Sequence, residues 1–357
     1  MCLLDTNIAF YANFANMKKA IVLSAFVLLA CFSAGAQMMP DSTVQVVAYW
    51  DKGDKVKYSV ESSTKRIYKS GEEEVLLSSS ENDYFEVVDQ TDTSYILRLT
   101  MKDVVTSTVD DPLDAEFMSD MIGRVQLDYL TDECGDLKSF YNIYSESERV
   151  LEELPKWCDE FIKQKGHALK AKQKERLKAL AGGLSSQFGD SDALYNNTVP
   201  TLTNMLFFHG LRLDTTRVYN VNTKIDAVFG HSFETEQSFW VDSAQSDTTF
   251  VVIRGHASLG NDTLMPYLEE AVMDGFRQST ADEDEYQESW DSWLQEAVDS
   301  HLQVTLDKYW LWVIHLPTGW PSQVGILTET KLVSDDEEIN TVSDNQLVFK
   351  EFISENP

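Results

Sequence analysis

The side chains of this 357-residue chain that could do chemistry are six histidines, four cysteines and 59 acidic residues. The histidines are His167, His209, His231, His256, His301 and His315. None stands in a His-x-x-x-His or His-Glu-x-x-His spacing, which would put two imidazoles on one helical face for zinc. His315 closes an apolar run, where a hydrogen-bonded structural histidine is the expectation. Gly183-Leu184-Ser185-Ser186-Gln187 lacks the final glycine of a nucleophile elbow, and no phosphate-cradling Gly-x-x-x-x-Gly-Lys occurs. Asp190-Ser191-Asp192 and Asp282-Glu283-Asp284-Glu285 offer hard oxygen ligands without the glycine and terminal glutamate of an EF-hand loop. They read as solvated charge. No catalytic, metal or cofactor residue is assigned, and no ligand-binding residue.

The remaining cysteines divide by position. Cys2 and Cys31 fall before or within an amino-terminal leader, which leaves Cys134 and Cys158. In an oxidising compartment an even pair predicts a disulfide, closing a loop worth about 3 kcal/mol on the chain-entropy argument. The alternative is two half-buried thiols. Neither sits in a Cys-x-x-Cys pair, so no redox enzyme is indicated.

That compartment follows from the leader. Met17-Lys18-Lys19 precedes an apolar run from Ala20 to Phe32, and Ser33-Ala34-Gly35-Ala36-Gln37 supplies small residues for cleavage between Ala36 and Gln37. The run is too short to span a bilayer, which needs about 20 apolar residues. Residues 1–16 lack this pattern and are expected to be an untranslated upstream segment, with Met17 the initiator. Leu28-Leu29-Ala30-Cys31 also resembles a lipoprotein box, which makes lipidation at Cys31 the minority reading. Export to the periplasm or outer envelope is the expectation.

The net charge is −30, from 29 basic and 59 acidic residues. Phosphate binding rests on Lys and Arg, so nucleic acid is excluded as a partner. Hydrophobic residues make up 43% of the chain, enough apolar surface to fold rather than stay disordered. The exception to the acidity is a basic island at 163–178, which reads as a surface helix offsetting the anionic body or, alternatively, as a contact for anionic lipid or a partner. Asp242-Ser243-Ala244 and Asp262-Thr263-Leu264 resemble short acceptor motifs for O-linked glycans.

The elements that must position these residues are mostly strands. Val44 to Trp50 is rich in β-formers, and Lys55 to Glu61 alternates polar and apolar with period two. Tyr84–Val88 and Ser94–Thr100 predict a hairpin with a long loop at 89–93; a short helix is expected at 112–121, and a second hairpin turns around Cys134. A helical block follows. Ser145 with Glu148 predicts a capping box, and Val150, Leu154, Trp157 and Phe161 form one apolar stripe. Pro155 should kink or restart that helix, Gly182-Gly183 should end the next one, and Val199–Phe208 should form another. Strands return after residue 215. At an offset of 155, Gln90, Asp92 and Thr93 fall on Gln245, Asp247 and Thr248. A later hairpin joins Tyr309–His315 to Val324–Leu327, with Trp310 and Trp312 on one face, and Tyr286, Trp290, Trp293 and Ala297 mark a helical stripe before it. The expected architecture is α+β: antiparallel sheets of long hairpins with helices packed on one face, in two related halves. The expected boundaries are 17–36 for the signal peptide, 37–144 for a first β-rich half, 145–210 for the helical block and 211–357 for a second β-rich half.

The leader ending Ala34-Gly35-Ala36-Gln37, the strand opening Tyr49-Trp50-Asp51-Lys52-Gly53-Asp54-Lys55-Val56-Lys57-Tyr58 and the turn Cys134-Gly135-Asp136-Leu137-Lys138 resemble envelope proteins of Gram-negative bacteria. The order of elements is similar to the half-barrel of lipoprotein carriers of the LolA and LppX kind. That resemblance implies a curved antiparallel sheet holding helices on its concave side, with an apolar ligand between them. The chain is nearly twice the size of one such unit, and no functional residue carries over. The functional expectation is a non-catalytic binding or scaffold protein of the envelope. The alternatives are a hydrolase whose carboxylates converge from distant loops, and a structural partner of an outer-membrane assembly.

Overall fold

The computed structural model describes residues 42–353, apart from 110, 167–168, 280–282 and 336. The segment 1–16, the leader 17–36, Cys31 and the Ala36–Gln37 cleavage site therefore lie outside the described residues. Thirteen strands and six helices are described. β2 (Lys55–Tyr68), β3 (Glu73–Thr91) and β4 (Ser94–Thr106) form a meander, and α1 (Pro112–Ile122) leads to the hairpin of β5 (Leu127–Asp132) and β6 (Leu137–Phe140). Then come α2 (Ile143–Lys165), α3 (Ala171–Phe188) and α4 (Ser191–Leu206). A second meander follows: β8 (Val218–Val228), β9 (His231–Val241) and β10 (Phe250–Leu259), then α5 (Asn261–Ser279) and α6 (Glu283–Asp299), then β11 (Gln303–His315), β12 (Pro321–Val333) and β13 (Glu338–Phe352). Short strands β1 (Thr43–Gln45) and β7 (Arg212–Asp214) pair with each other.

The two meanders make one antiparallel sheet of eleven strands, ordered β6-β5-β4-β3-β2-β13-β12-β11-β10-β9-β8. The seam is β2 against β13, registered from Tyr68↔Ile339 to Val56↔Phe352. This is the α+β class, an antiparallel sheet carrying helices, and the strands of both β-rich segments share the sheet.

That sheet is strongly curled. Strands lie about 4.8 Å apart, so β5 and β12, five places apart, would be separated by about 24 Å if the sheet were flat. Yet Ala48 N–H donates to Cys134 O at the end of β5, and its neighbour Tyr49 N–H donates to Thr318 O just before β12. Consecutive Cα atoms are only about 3.8 Å apart, so the two turns must meet. Helix α4 crosses the inside of the curl. Tyr195 packs on Phe140 of β6, and the carbonyl of Asn204 accepts from Trp312 Nε1 of β11 at 2.6 Å.

Period-two alternation selects the inner face: Tyr58, Phe85, Leu97, Phe239, Ile253 and Trp312 all point to it and are buried. Trp310 and Trp312 share this face as expected. The outer face carries charge. Lys55–Glu86 and Arg98–Asp128 form cross-strand ion pairs in one row, at 3.0 and 2.7 Å.

Several local expectations differ from the structure. Of Val44–Trp50 only Val44 and Gln45 are strand, within β1; the rest is a segment whose backbone bonds the surrounding turns. The hairpin at 89–93 turns in two residues, because pairing continues to Thr91↔Ser94. Asn142 precedes α2, so Ser145 lies within the first turn and donates to Asn142 O rather than capping. The stripe Val150, Leu154, Trp157 and Phe161 is buried as expected, and α2 runs through Pro155. Helix α3 runs through Gly182-Gly183, held by Leu177, Ala181 and Leu184 while both glycines face open space. Helix α4 begins eight residues before Val199, with Asp190 Oδ1 accepting from Ala193 N–H as its cap, and Pro200 lies inside it.

Candidate functional site

Where the turns converge, the molecule is built as an interlock. Trp50 stacks on Trp320 with centroids 4.4 Å apart and also contacts Tyr95 and His209. His209 is buried, with Nε2 2.9 Å from Gly319 O and Nδ1 3.2 Å from Leu206 O. A neutral imidazole donates only one of these bonds. Burial pushes its pKa down to about 4 against the pull of both carbonyls, so the ring is neutral at pH 7. Gly135 (φ +92) and Gly319 (φ +74) are required here. A Cβ on Gly135 would meet His209 Cδ2 at 2.6 Å, and one on Gly319 would collide with the Val47 carbonyl. This cluster fastens the fold.

The disulfide is not formed: Cys134 and Cys158 are both free. Cys134 sits in the β5–β6 turn beside Gly210, while Cys158 lies on the buried face of α2. Burial, followed by neighbouring acids, raises both thiol pKa values, which disfavours the reactive thiolate.

The described histidines are scattered. His231 faces Glu270 at 3.5 Å, His256 faces Asp307 at 3.0 Å, His301 faces Asp335 at 3.0 Å, and His315 Nδ1 lies 2.9 Å from Thr318 Oγ1. No group of three or more potential metal ligands occurs among the described residues. His167 and Asp282 lie outside the described residues, as do the side chains of Glu283, Asp284 and Glu285. The basic island pairs with the acidic body: Lys165 with Glu116, Arg176 with Asp111 and Asp114, and Lys178 with Asp159. Ser243 and Thr263, at the centres of the two glycan-like motifs, are exposed.

The space between sheet and helices is filled wherever α1, α2 and α4 cover it. Phe117 of α1 packs on Phe161 of α2, and Phe208, just after α4, meets Trp312 edge-on at 4.7 Å. Phe85, Tyr129, Leu97 and Phe208 are fully buried there. Two hollows stand out among the described residues, and both are open. One, of about 530 Å³, is lined by serines of β2 and β3 with Glu61 and Asp344; the other lies between β4, α1 and α2 and includes Lys102, Glu116 and Lys165.

The α5–α6 pair is different. Leu264 and Leu268 of α5 are buried, and Tyr267 packs edge-on against Phe233 of β9. On α6, Trp290, Trp293, Leu294 and Ala297 share one face at spacings of three, four and seven residues from Trp290 and are only half-buried. The two indoles stack on each other at 5.3 Å. Among the described residues neither joins the apolar core that Met265, Tyr267 and Val272 of α5 pack against.

One acidic pair has displaced pKa values. Glu81 and Asp83 alternate along β3 with Phe85 and Val87 and so face inward. Burial raises both pKa values, with Glu81 adding to the rise at Asp83. The two carboxyls come from one strand, not from distant loops, and Asp83 is only 2% exposed.

No family model matches the chain, and no curated protein matches it. Among solved structures it is similar to lipovitellin, in a structure described as "Lipid-protein interactions in lipovitellin". The TM-score is 0.34 and the identity 10%, covering 86% of this chain and 26% of that one. The chain thus spans about a quarter of the lipovitellin chain it matches. A likeness this faint assigns neither ligand nor activity. No helix among the described residues is long and apolar enough to cross a membrane.

Proposed function

We propose that this chain is an exported, non-catalytic binding protein of the cell envelope that holds an apolar, lipid-like ligand against α6. The observation that carries the reading is the half-buried indole pair Trp290–Trp293 on a helix whose apolar face is only partly used. Stacked indoles expose a large apolar surface with N–H groups at its edge, which suits an amphiphile. The curled sheet with helices on its inner face supports the carrier-like half-barrel reading. The tightly packed layer under α1 and α4 moves the ligand to the α5–α6 end. Export rests on the leader sequence, from Met17-Lys18-Lys19 to the Ala36–Gln37 bond.

The test is to express the full chain with its leader, purify it, extract it with organic solvent and identify co-extracted lipid by mass spectrometry. Brominated phospholipid should quench tryptophan emission, and Trp290→Ala with Trp293→Ala should abolish both the extract and that quenching. A lipid-free extract with unquenched emission would sink the ligand. Amino-terminal sequencing of the native protein checks cleavage after Ala36.

A further inference from the structure

The α5–α6 pair is as uneven in charge as it is in burial. Between Asn261 and Asp299 stand twelve acidic residues and a single basic one, Arg277, so −11 of the chain's net −30 is concentrated on these two helices and their connection. Arg277 is already paired with Asp274 at 3.3 Å. Helix α6 itself has seven acids and no lysine or arginine. Asp291 stands three residues before Leu294 and Glu296 three after Trp293, and at 3.6 residues per turn each offset is about 60° around the helix. The two acids therefore border the stripe of Trp290, Trp293, Leu294 and Ala297, one on either side, and both are exposed. Asp291 Oδ1 accepts from Gln287 Nε2 at 2.9 Å, a neutral partner that leaves its charge in place. Helix α5, which packs on α6, adds half-buried Ala271, Val272, Met273 and Phe276 and exposed Glu270 and Asp274.

Building on the reading that α6 holds an apolar ligand, we propose that this end of the molecule selects by headgroup: it takes a zwitterionic lipid whose head ends in an ammonium group and turns away anionic lipids. The apolar stripe receives the acyl chain, and its acidic rim decides which head can follow. An anionic head brought to Asp291 and Glu296 meets like charge on both sides of the stripe, within a field that the rest of the helix pair reinforces. An ammonium meets the opposite sign, and the faces of the stacked indoles add attraction for a cation. The size of the stripe favours a lipid over a protein. Four half-buried side chains along about 10 Å of helix offer far less than the about 800 Å² per partner that a stable protein interface buries.

The experiment titrates the full chain at pH 7 with vesicles of brominated phosphatidylcholine and, separately, of brominated phosphatidylglycerol. The signal is the part of the tryptophan quenching that Trp290→Ala with Trp293→Ala removes. At about 0.01 M salt, where the Debye length is about 30 Å, phosphatidylcholine should reach half-quenching at a lipid concentration at least about tenfold lower. At about 1 M salt, with a Debye length of about 3 Å, the gap should close. Asp291→Asn with Glu296→Gln should narrow the low-salt gap. Asp92→Asn with Glu152→Gln makes an equal change of charge at exposed positions on the β3–β4 turn and on α2, and should leave the gap as in the parent. Dodecylphosphocholine, titrated below micelle formation, should shift the same emission at a lower concentration than dodecyl maltoside, whose head is uncharged. Equal quenching by the two vesicles, a gap that survives high salt, equal narrowing by the two double variants, or no preference over the maltoside would overturn the headgroup selectivity and leave a lipid at α6 standing. Quenching by neither vesicle would remove the lipid reading and this inference with it, and tight binding of a basic amphipathic peptide in that case would give the face to a protein partner.

Discussion

Tryptophans at two ends of the molecule are used in opposite ways. At the converging turns, Trp50 and Trp320 are each 1% exposed, wedged among His209, Tyr95 and two glycines that admit no side chain. On α6, Trp290 and Trp293 stack on each other and remain half-buried. The first pair is held by many chain-distant neighbours, and removing it leaves a hole. The second pair is held by a local helix, and removing it leaves solvent where solvent already reached. Buried aromatics sustain the fold, and partly used ones are free to meet something else.

The comparison breaks most visibly at Trp50. Trp50→Ala should destabilise the protein by about 3–5 kcal/mol, read from denaturant midpoints, because the segment 43–50 ties the two turns together through that ring. A loss below about 1 kcal/mol would mean the interlock is incidental.

Next comes the pH response of the same cluster. The folded pKa of His209 is about 4, below the ordinary 6.5, so between these values the unfolded chain binds more protons. Stability is therefore fully present above about pH 6.5 and falls as pH drops toward 4, by roughly 3 kcal/mol from this ring. In His209→Phe the fall across that window should be smaller, as measured by urea titrations at pH 7, 5.5 and 4.

Asp83 should respond in the reverse direction. Its folded pKa is raised, so the folded chain holds a proton that the unfolded chain releases above about pH 4, and stability is lost as pH climbs. Asp83→Asn should raise the melting temperature at pH 7 and leave it nearly unchanged at pH 3.5. No gain at pH 7 would show that the carboxyl is solvated.

The smallest effect belongs to α6. Trp290→Ala and Trp293→Ala should each cost less than about 1 kcal/mol, while removing the lipid-dependent quenching. A larger loss of stability would place these indoles with Trp50 instead.

Much of the strand pattern was legible because it is local. Lys55–Glu61 and Ser94–Thr100 alternate with period two, and of their inward residues Val56, Tyr58, Tyr95, Leu97 and Leu99 are buried while Val60 is half-buried. The inward acids carried a readable signal as well: once Phe85 and Val87 set the phase of β3, Glu81 and Asp83 must face the same way. The helix ends were less legible. Gly182-Gly183 looks like a stop, yet tertiary packing through Leu177, Ala181 and Leu184 carries α3 across it. The state of the cysteine pair was not legible, because parity says nothing about distance. Cys134 and Cys158 belong to a turn and to a helix face that meet other partners.

By itself the sequence determined the acidic character, the leader pattern, the strand-rich α+β class and which side of each strand is apolar. These depend on composition and on periods of two to four residues, which any chain carries along its length. Only the tertiary structure decided that eleven strands join through β2 and β13 into one curled sheet, and that Trp50 lies buried while Trp290 stays half-exposed. It alone set Phe85 edge-on between Tyr58 and Tyr129. The physical reason is that burial is a property of neighbours brought together by pairing over long sequence separations, and nothing in a residue's own vicinity encodes which distant turn will close over it.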